Sequence, residues 1–577
     1  MRAVTPLKGK TSKGTEQRPK GDWLQLLLLG AILVLALALR LYRIDTQSIW
    51  YDEGWSIHLA QESASVALEQ IGSAGHTHPP GYYMLLWAWV RVFGDSVWAV
   101  RGLSALLGTL TVWLTYRLGR TLFDWQAGLA SAMLLAIAPA HIVYSQETRM
   151  YALLALCFAG LLLLVYRYVR DGDRWSGWHW AAMIGVEIVA IYTHYFAFFF
   201  VASMAAWLLV SLLRAGKGRR CLLWLGSQVI VLIAFVPWLG VAMTRATTHV
   251  TEGAAPPSLL PFVTQVWSFL LGGHVALYGR EPLYARMAQV FLAVGLLLVA
   301  GLLVRDKKRR AVVYLLLQGL VPLALIFLLM RIRPGFHPRY VLMLLVPLVV
   351  VVARGVVVLV RGGKLVIAMG ALVTCLWLAT TGLAARALIT DTYYDRDNAR
   401  STAVYLQERL HPGAVVLADN DDWALRYYLA DAELRDLYLN VDQLPEDVTG
   451  QIEALLAEGP EAALVKWHQG ESDKRGLLPY LLERSGTLVE RYLLQGYTVY
   501  VYAVEGEMLP SLSHDVSADF HPLRLMEVTA ETGVPVDEAV AVALTWRKEA
   551  DPAHDYKVAL SLVDQGGHDV ARCDQML

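Results

Sequence analysis

Charge and sulfur are both scarce in this chain. Of its 577 residues only 17% are Asp, Glu, Lys or Arg and 56% are hydrophobic, a balance that a water-soluble enzyme of this size could hardly hide in one core. The sequence therefore reads as a membrane protein. Net charge is absent too, with Lys plus Arg equal to Asp plus Glu at 50 each, so nothing global points to nucleic acid and the information lies in where the charges sit. Four cysteines, Cys157, Cys221 and Cys375 in apolar runs and Cys573 near the end, form no CxxC and no close pair, which argues against a cysteine zinc site and a disulfide framework. The first apolar run, Leu24 to Leu39, follows a basic tail (Lys8, Lys10, Lys13, Arg18, Lys20) and carries no small-residue cleavage signature. It is read as a retained span.

What is present is a series of long apolar runs. A bilayer core of about 30 Å needs about 20 apolar residues in helix, and about eleven runs qualify: 22–41, 97–116, 127–145, 151–169, 179–196, 196–213, 221–243, 287–304, 311–330, 340–360 and 365–385. With the N-terminus inside, every second connection should be basic, because basic loops resist translocation. They are: Arg117 and Arg120; Arg167, Arg170 and Arg174; Arg214, Lys217, Arg219 and Arg220; Arg305 to Arg310 with one Asp; Arg361 and Lys364. Residues 82–93 are too short to cross and rich in Trp and Tyr, which suits an interfacial helix, and counting them as a span would put the basic clusters outside. The stretch 54–71 reads as amphipathic and 244–286 as an outer connection.

After about residue 388 short β-like runs (Ala414 to Leu417, Ala463 to Lys466, Tyr497 to Tyr502) alternate with helical stretches at 396–410, 446–457 and 473–485, the pattern of a soluble α/β domain. An odd number of spans places it outside. Strand-like Val540 to Trp546 and Lys557 to Val563, a Gly566-Gly567 turn and a further short strand follow. Two or three strands cannot bury a sandwich core, so the chain is expected to stop partway through a β domain. The expected organisation is a tail at 1–21, a membrane domain at 22–388, an extracytoplasmic α/β domain at 389–506 and a partial β-sandwich-like domain at 507–577.

The outer connections carry Asp52-Glu53, His76-Thr-His78-Pro-Pro, Gln146-Glu147-Thr-Arg149, Thr193-His194-Tyr195 and the segment from Arg331 to Tyr340. Arg245, Arg331, Arg333 and Arg339 break the charge rule there, and an anionic ligand is one reason for outer arginines. Glycosyl transfer needs a base for the incoming hydroxyl, stabilisation of an oxocarbenium-like centre and a cation for the leaving phosphate. These loops hold all three kinds of group.

A DE pair after the first span, a His-x-His-Pro-Pro motif with a following Tyr-Tyr ahead of a Trp-rich helix, an Arg-Leu-type span and a Tyr-Ser-Gln-Glu-x-Arg-x-Tyr loop together resemble the GT-C superfamily of membrane glycosyltransferases, which includes protein O-mannosyltransferases, aminoarabinose transferases and lipopolysaccharide core transferases. The resemblance covers roughly 22–385. It implies an α-helical polytopic GT-C fold in a bacterial cytoplasmic membrane, a polyprenyl-phosphate sugar donor, a glycolipid, glycan or protein acceptor at the outer face, and membrane lipids as neighbours. By the same resemblance Asp52 and Glu147 are catalytic, although many relatives carry Asp at the second position. Glu53, His76, His78, Arg149, Tyr151, His194, Arg331, Arg333, His337, Arg339 and Tyr340 are candidates for binding substrate. Metal dependence stays open, with Asp52 and Glu147 as possible ligands of a divalent ion.

Each assignment has a structural rival. Asp52 and Glu53 are also suited to capping the helix after them, worth about 1 kcal/mol. Glu147 and Arg149 could neutralise each other, the histidines could be plain interfacial residues, and Arg339-Tyr340 could anchor a span. A transporter or flippase of a lipid-linked substrate would also hold scarce ionisable groups, but its site belongs near the midplane on interrupted helices, often with repeats. A membrane-anchored binding protein would work through the soluble domain, where Asp419, Asp421 and Asp422 follow a strand without a Gly-rich phosphate loop. Transfer chemistry at the outer face accounts for more of the sequence than either.

Overall fold

The structure is a computed structural model, and it describes residues 22–73, 78–248, 255–278, 306–361, 364–430, 432–438, 451–452, 454–457, 459–468, 473, 477–504, 511–520, 523–531, 542–548, 557–563 and 569–576, with single positions at 295, 299 and 302. The chain divides into two compact units, Met1–Asn398 and Ala399–Leu577.

The first unit is helical. Its elements are α1 (Asp22–Leu41), α2 (Tyr51–Gln61), α3 (Ala64–Gly72), α4 (Gly81–Phe93), α5 (Val97–Leu122), α6 (Trp125–Ala136), α7 (Pro139–Tyr144), α8 (Tyr151–Asp171), α9 (Gly177–Thr193), α10 (Ala197–Arg214), α11 (Gly218–Thr248), α12 (Leu259–Tyr278), α13 (Arg309–Ile332), a 3-10 turn (Pro338–Leu344), α14 (Leu345–Val360) and α15 (Lys364–Thr390). Among the described residues seven helices are long and apolar enough to cross a membrane, within α1, α5, α8, α10, α11, α13 and the 338–360 segment. The chain is a multi-pass membrane protein.

Three sequence expectations need correction. The expected span at 127–145 is two short helices, because Pro139 has no N–H to continue α6 and forces the preceding Ala138 into extended backbone. The expected outer connection at 244–286 contains α12, bent at Gly273 where φ is +61°. The amphipathic stretch at 54–71 is broken at Glu62, and Ser63 caps α3 by accepting from the N–H of Val66. The expected span at 287–304 lies outside the described residues except at three positions.

The short helix expected at 82–93 is α4. Gly94, with φ +79°, ends it, and it packs on α2, α5 and α9. Gly81 is required at its start, since a Cβ there would sit 2.6 Å from the carbonyl oxygen of Tyr192 in α9. Arg91 near its end donates to the carbonyls of Ala60 (2.8 Å), Gln61 (3.2 Å) and Glu62 (2.7 Å), so the free carbonyls at the end of α2 are satisfied from the neighbouring helix.

The second unit begins with α16 (Ala399–Arg409). A five-stranded sheet follows, with β1 (Val415–Ala418), α17 (Trp423–Leu429), β2 (Arg435–Tyr438), β3 (Glu461–Trp467), α18 (Leu477–Ser485), β4 (Gly486–Leu494) and β5 (Tyr497–Val504). Strand order is β2-β1-β3-β5-β4; β1 runs parallel to β2 and β3, with Val415 opposite Arg435 and Ala462, and β5 is antiparallel to its neighbours. Val415, Leu417, Leu464, Leu478, Leu481 and Leu482 bury its core. Beyond it lie an antiparallel sheet of β6 (Ser511–Phe520), β7 (Leu523–Glu531) and β8 (Val542–Lys548), and a hairpin of β9 (Lys557–Val563) and β10 (Asp569–Met576).

Candidate active site

The site forms where the first turn of α2, the loop between α7 and α8, the start of α4, the end of α9, the turn at 337–340 and the tail after α15 meet. Asp52 and Glu53 are adjacent in the first turn of α2, so their side chains leave the helix about 100° apart. Neither caps it, since the N-cap is Trp50 without a side-chain cap bond.

Glu53 is fully buried. Arg101, one turn into α5, donates to it from Nε (2.9 Å) and Nη2 (2.6 Å), the N–H of Thr148 donates to Oε1 (2.8 Å) and Arg396 donates from Nη1 to Oε2 (2.9 Å). Burial pushes this carboxyl up, but the guanidinium groups of Arg101 and Arg396 and the hydrogen bonds outweigh it and hold Glu53 below its ordinary value. Arg101 spends its remaining donors on the carbonyls of Ile44, Gln47 and Ser48. Glu53 is thus the fixed centre of the first loop.

Asp52 faces the other way and keeps 22% of its side chain exposed. Its Oδ2 lies 3.3 Å from Arg339 and 3.7 Å from Arg149. Arg149 also donates to the backbone oxygen of Asp52 (3.1 Å), to Ser56 Oγ (3.2 Å) and to Tyr83 Oη (3.3 Å), and Arg339 lies over the rings of Trp50, Tyr151 and Tyr340. Glu147 is buried, with Oε2 3.3 Å from Arg396 and no hydrogen-bond partner at Oε1. Burial raises its carboxyl above the ordinary value, Arg396 opposes this and Glu53 adds to it.

His194 caps the end of α9, its ring 5.0 Å from that of His78 and 5.5 Å from that of Tyr340. Burial, then Arg149 and Arg339, push it down to about 3, so it is neutral at physiological pH. Its Nδ1 accepts from the N–H of Phe196 (3.1 Å), which assigns the proton to Nε2. That Nε2 is buried without a hydrogen-bond partner, as are Asp52 Oδ2, which has only its ion pairs, Glu147 Oε1, Arg149 Nε, Tyr151 Oη and Arg339 Nε. Buried polar atoms are ordinarily satisfied, so these atoms are the candidates for contact with a polar ligand.

The structure therefore brings together Asp52, Glu53, His78, Glu147, Arg149, Tyr151, His194, Arg339 and Tyr340. His337 shapes the turn, its Nδ1 accepting from the N–H of Arg339. Arg331 is exposed and donates to the carbonyl of Pro257, and Arg333 follows the end of α13; neither is brought to Asp52. His76 lies outside the described residues. Two members of the cluster escaped the sequence reading. Arg101 carried a signal, a cation inside an apolar run that demands a partner, whereas Arg396 sits past the last apolar run with nothing in its spacing to mark it.

Comparison with known proteins adds a direct test of the fold. The family model described as dolichyl-phosphate-mannose-protein mannosyltransferase matches residues 77–240. The crystal structure of ArnT from Cupriavidus metallidurans bound to undecaprenyl phosphate superposes at TM-score 0.53 with 15% identity, covering 84% of this chain and 98% of that one. The chain has the GT-C fold. The apo state of the same ArnT matches at TM-score 0.53 with 15% identity, covering 83% and 97%, and the Archaeoglobus fulgidus oligosaccharyltransferase tethered to an acceptor peptide at 0.46 with 13% identity, covering 84% and 74%. No curated protein sequence matches the chain.

Among the described residues no three His, Cys, Asp or Glu side chains gather as a ligand set, and the two acids named as possible ligands face guanidinium groups. A dication would have to displace those cations or share their carboxylates.

Proposed function

We propose that the chain transfers a monosaccharide from a polyprenyl-phosphate-linked donor to an acceptor at the outer face of the bacterial cytoplasmic membrane. The observation that carries this reading is the Asp52 carboxylate held between Arg149 and Arg339, beside the unpartnered Tyr151 hydroxyl and His194 Nε2. A hydroxyl acceptor donates its proton toward Asp52 while its oxygen attacks the anomeric carbon. The bond from that carbon to the phosphate oxygen breaks, and the phosphate leaves with the electron pair. Arg339, Arg149 and the neutral His194 offer donors for the charge that develops on it. Glu147, with one oxygen uncommitted, is a second acceptor that can orient a substrate hydroxyl. ArnT bound to undecaprenyl phosphate supports the class of donor, because the fold is shared.

The test is transfer from a panel of radiolabelled polyprenyl-phosphate sugars to membrane extract. Asp52→Asn keeps the shape and cannot take the proton, so turnover should fall by about 10²–10⁴ at unchanged membrane yield and melting. Retention of more than about a tenth of wild-type turnover would show that Asp52 is not the base.

A further inference from the structure

We infer that Arg396, on the tail that follows the last apolar helix, is a positioning residue that aims Glu147 into the active site. The inference rests on the functional reading of Glu147 given above. Among the described residues the ion pair with Arg396 (3.3 Å) is the one that the Glu147 carboxylate makes, and its other oxygen has no partner. A buried acid held at one oxygen owes its direction to that contact.

Arg396 is itself well placed to act as a reference. Its other terminal nitrogen donates to Glu53 (2.9 Å), which Arg101 and the N–H of Thr148 already hold, and its guanidinium lies 5.3 Å from the centre of the Trp50 ring. Thr148 is the neighbour of Glu147, so the loop backbone and the Glu147 side chain are both referred to the same buried carboxylate. The planar fork of Arg suits such a bridge between two carboxylates, whereas an ammonium is a single point charge. A purely structural strap is the competing role. The tail has a second tie of that kind, Gln47 Nε2 donating to Asp395 Oδ1 (3.3 Å).

The two roles separate kinetically. Using the full chain in membranes and the radiolabelled undecaprenyl-phosphate sugar that wild type turns over best, Arg396→Gln should lower kcat by roughly 10²-fold, the scale of a misplaced catalytic group, with donor KM within about threefold. Arg396→Lys should recover part of the loss. In a Glu147→Gln background the same change should cost less than about threefold, because the two residues act as one unit. Asp395→Ala, which removes the acceptor of the second tie, should leave turnover unchanged. Losses that multiply in the double variant, an equal loss in Asp395→Ala, or full turnover in Arg396→Gln would overturn the inference. If Arg396→Gln fails to reach the membrane, Arg396→Lys decides: wild-type kcat overturns the bridging role. A fully active Glu147→Gln, or a panel in which wild type transfers nothing, sinks the functional reading beneath it instead.

Discussion

Asp52 and Glu53 are neighbours of like charge with opposite physical situations. Glu53 is sealed among Arg101, Arg396 and the Thr148 N–H, whereas Asp52 stays partly open between two guanidinium groups. Removing one partner of a buried ion pair costs about 3 kcal/mol or more because the other charge stays buried. Glu53→Gln should therefore lower the melting temperature clearly, while Asp52→Asn should not; differential scanning fluorimetry in detergent on both variants checks this, and equal melting would refute the burial argument. The pH dependence has a definite sign. With its folded value depressed, Glu53 contributes stability above the ordinary carboxyl value near 4.3, and that contribution disappears as pH falls through the lower folded value. Glu53→Gln should accordingly flatten the acid limb of the stability curve. In sequence only the family resemblance gave the two acids different roles, because the groups that separate them physically, Arg101, Arg396 and the Thr148 N–H around Glu53, are remote in sequence and no local spacing ties them to residue 53.

At the scale of elements the decisive event is the break between α6 and α7. A continuous helix over 127–145 would have carried the Glu147 loop elsewhere; Pro139 ends α6 and frees carbonyls, and Arg40 of α1 donates to those of Ala136 (3.2 Å) and Leu135 (3.4 Å) while meeting His141 Nδ1 at 2.7 Å. Gly108 of α5 makes room for this junction, since a Cβ there would stand 2.1 Å from Ser145 Oγ and 2.7 Å from Ser145 Cβ. Gly108→Ala should then push the Ser145 backbone and the loop that carries Glu147 and Arg149, costing about 1–3 kcal/mol by overpacking and lowering turnover. Combining it with Ser145→Gly should restore most of both. Melting and transfer assays on the single and double variants test the coupling, and a double variant no better than Gly108→Ala alone would refute it. Helix periodicity and length made most membrane helices legible, including the short α4. The break was missed because an apolar run containing one proline still scores as a span, and the carbonyl acceptors for Arg40 lie about a hundred residues away in sequence.

Over the whole membrane unit the charged contacts sort into two sets. One joins groups from connections that the charge rule puts inside with Arg354 in the second half of α14: Arg354 bridges Asp306 (2.7 Å) and Asp124 (3.0 Å), Arg361 reaches Asp124 (3.1 Å), Lys308 donates to the carbonyl of Phe123, and Arg220 pairs with Asp173. The other joins Asp52, Glu53, Glu147, Arg149, Arg339 and Arg396, from segments read as outer, with Arg101, one turn into α5. Contacts within each set require its members to lie on one side of the bilayer, independently of the Lys and Arg statistics that first suggested the sides. In the proposed orientation the first set, with its basic loops, faces the cytoplasm. Reporter fusions after residues 172 and 215 should score cytoplasmic, and a fusion after residue 398 should score extracytoplasmic, on the side of Asp52. A cytoplasmic score after 398 would place the catalytic cluster on the wrong face for an outer-leaflet reaction and would overturn the proposed transfer along with the topology.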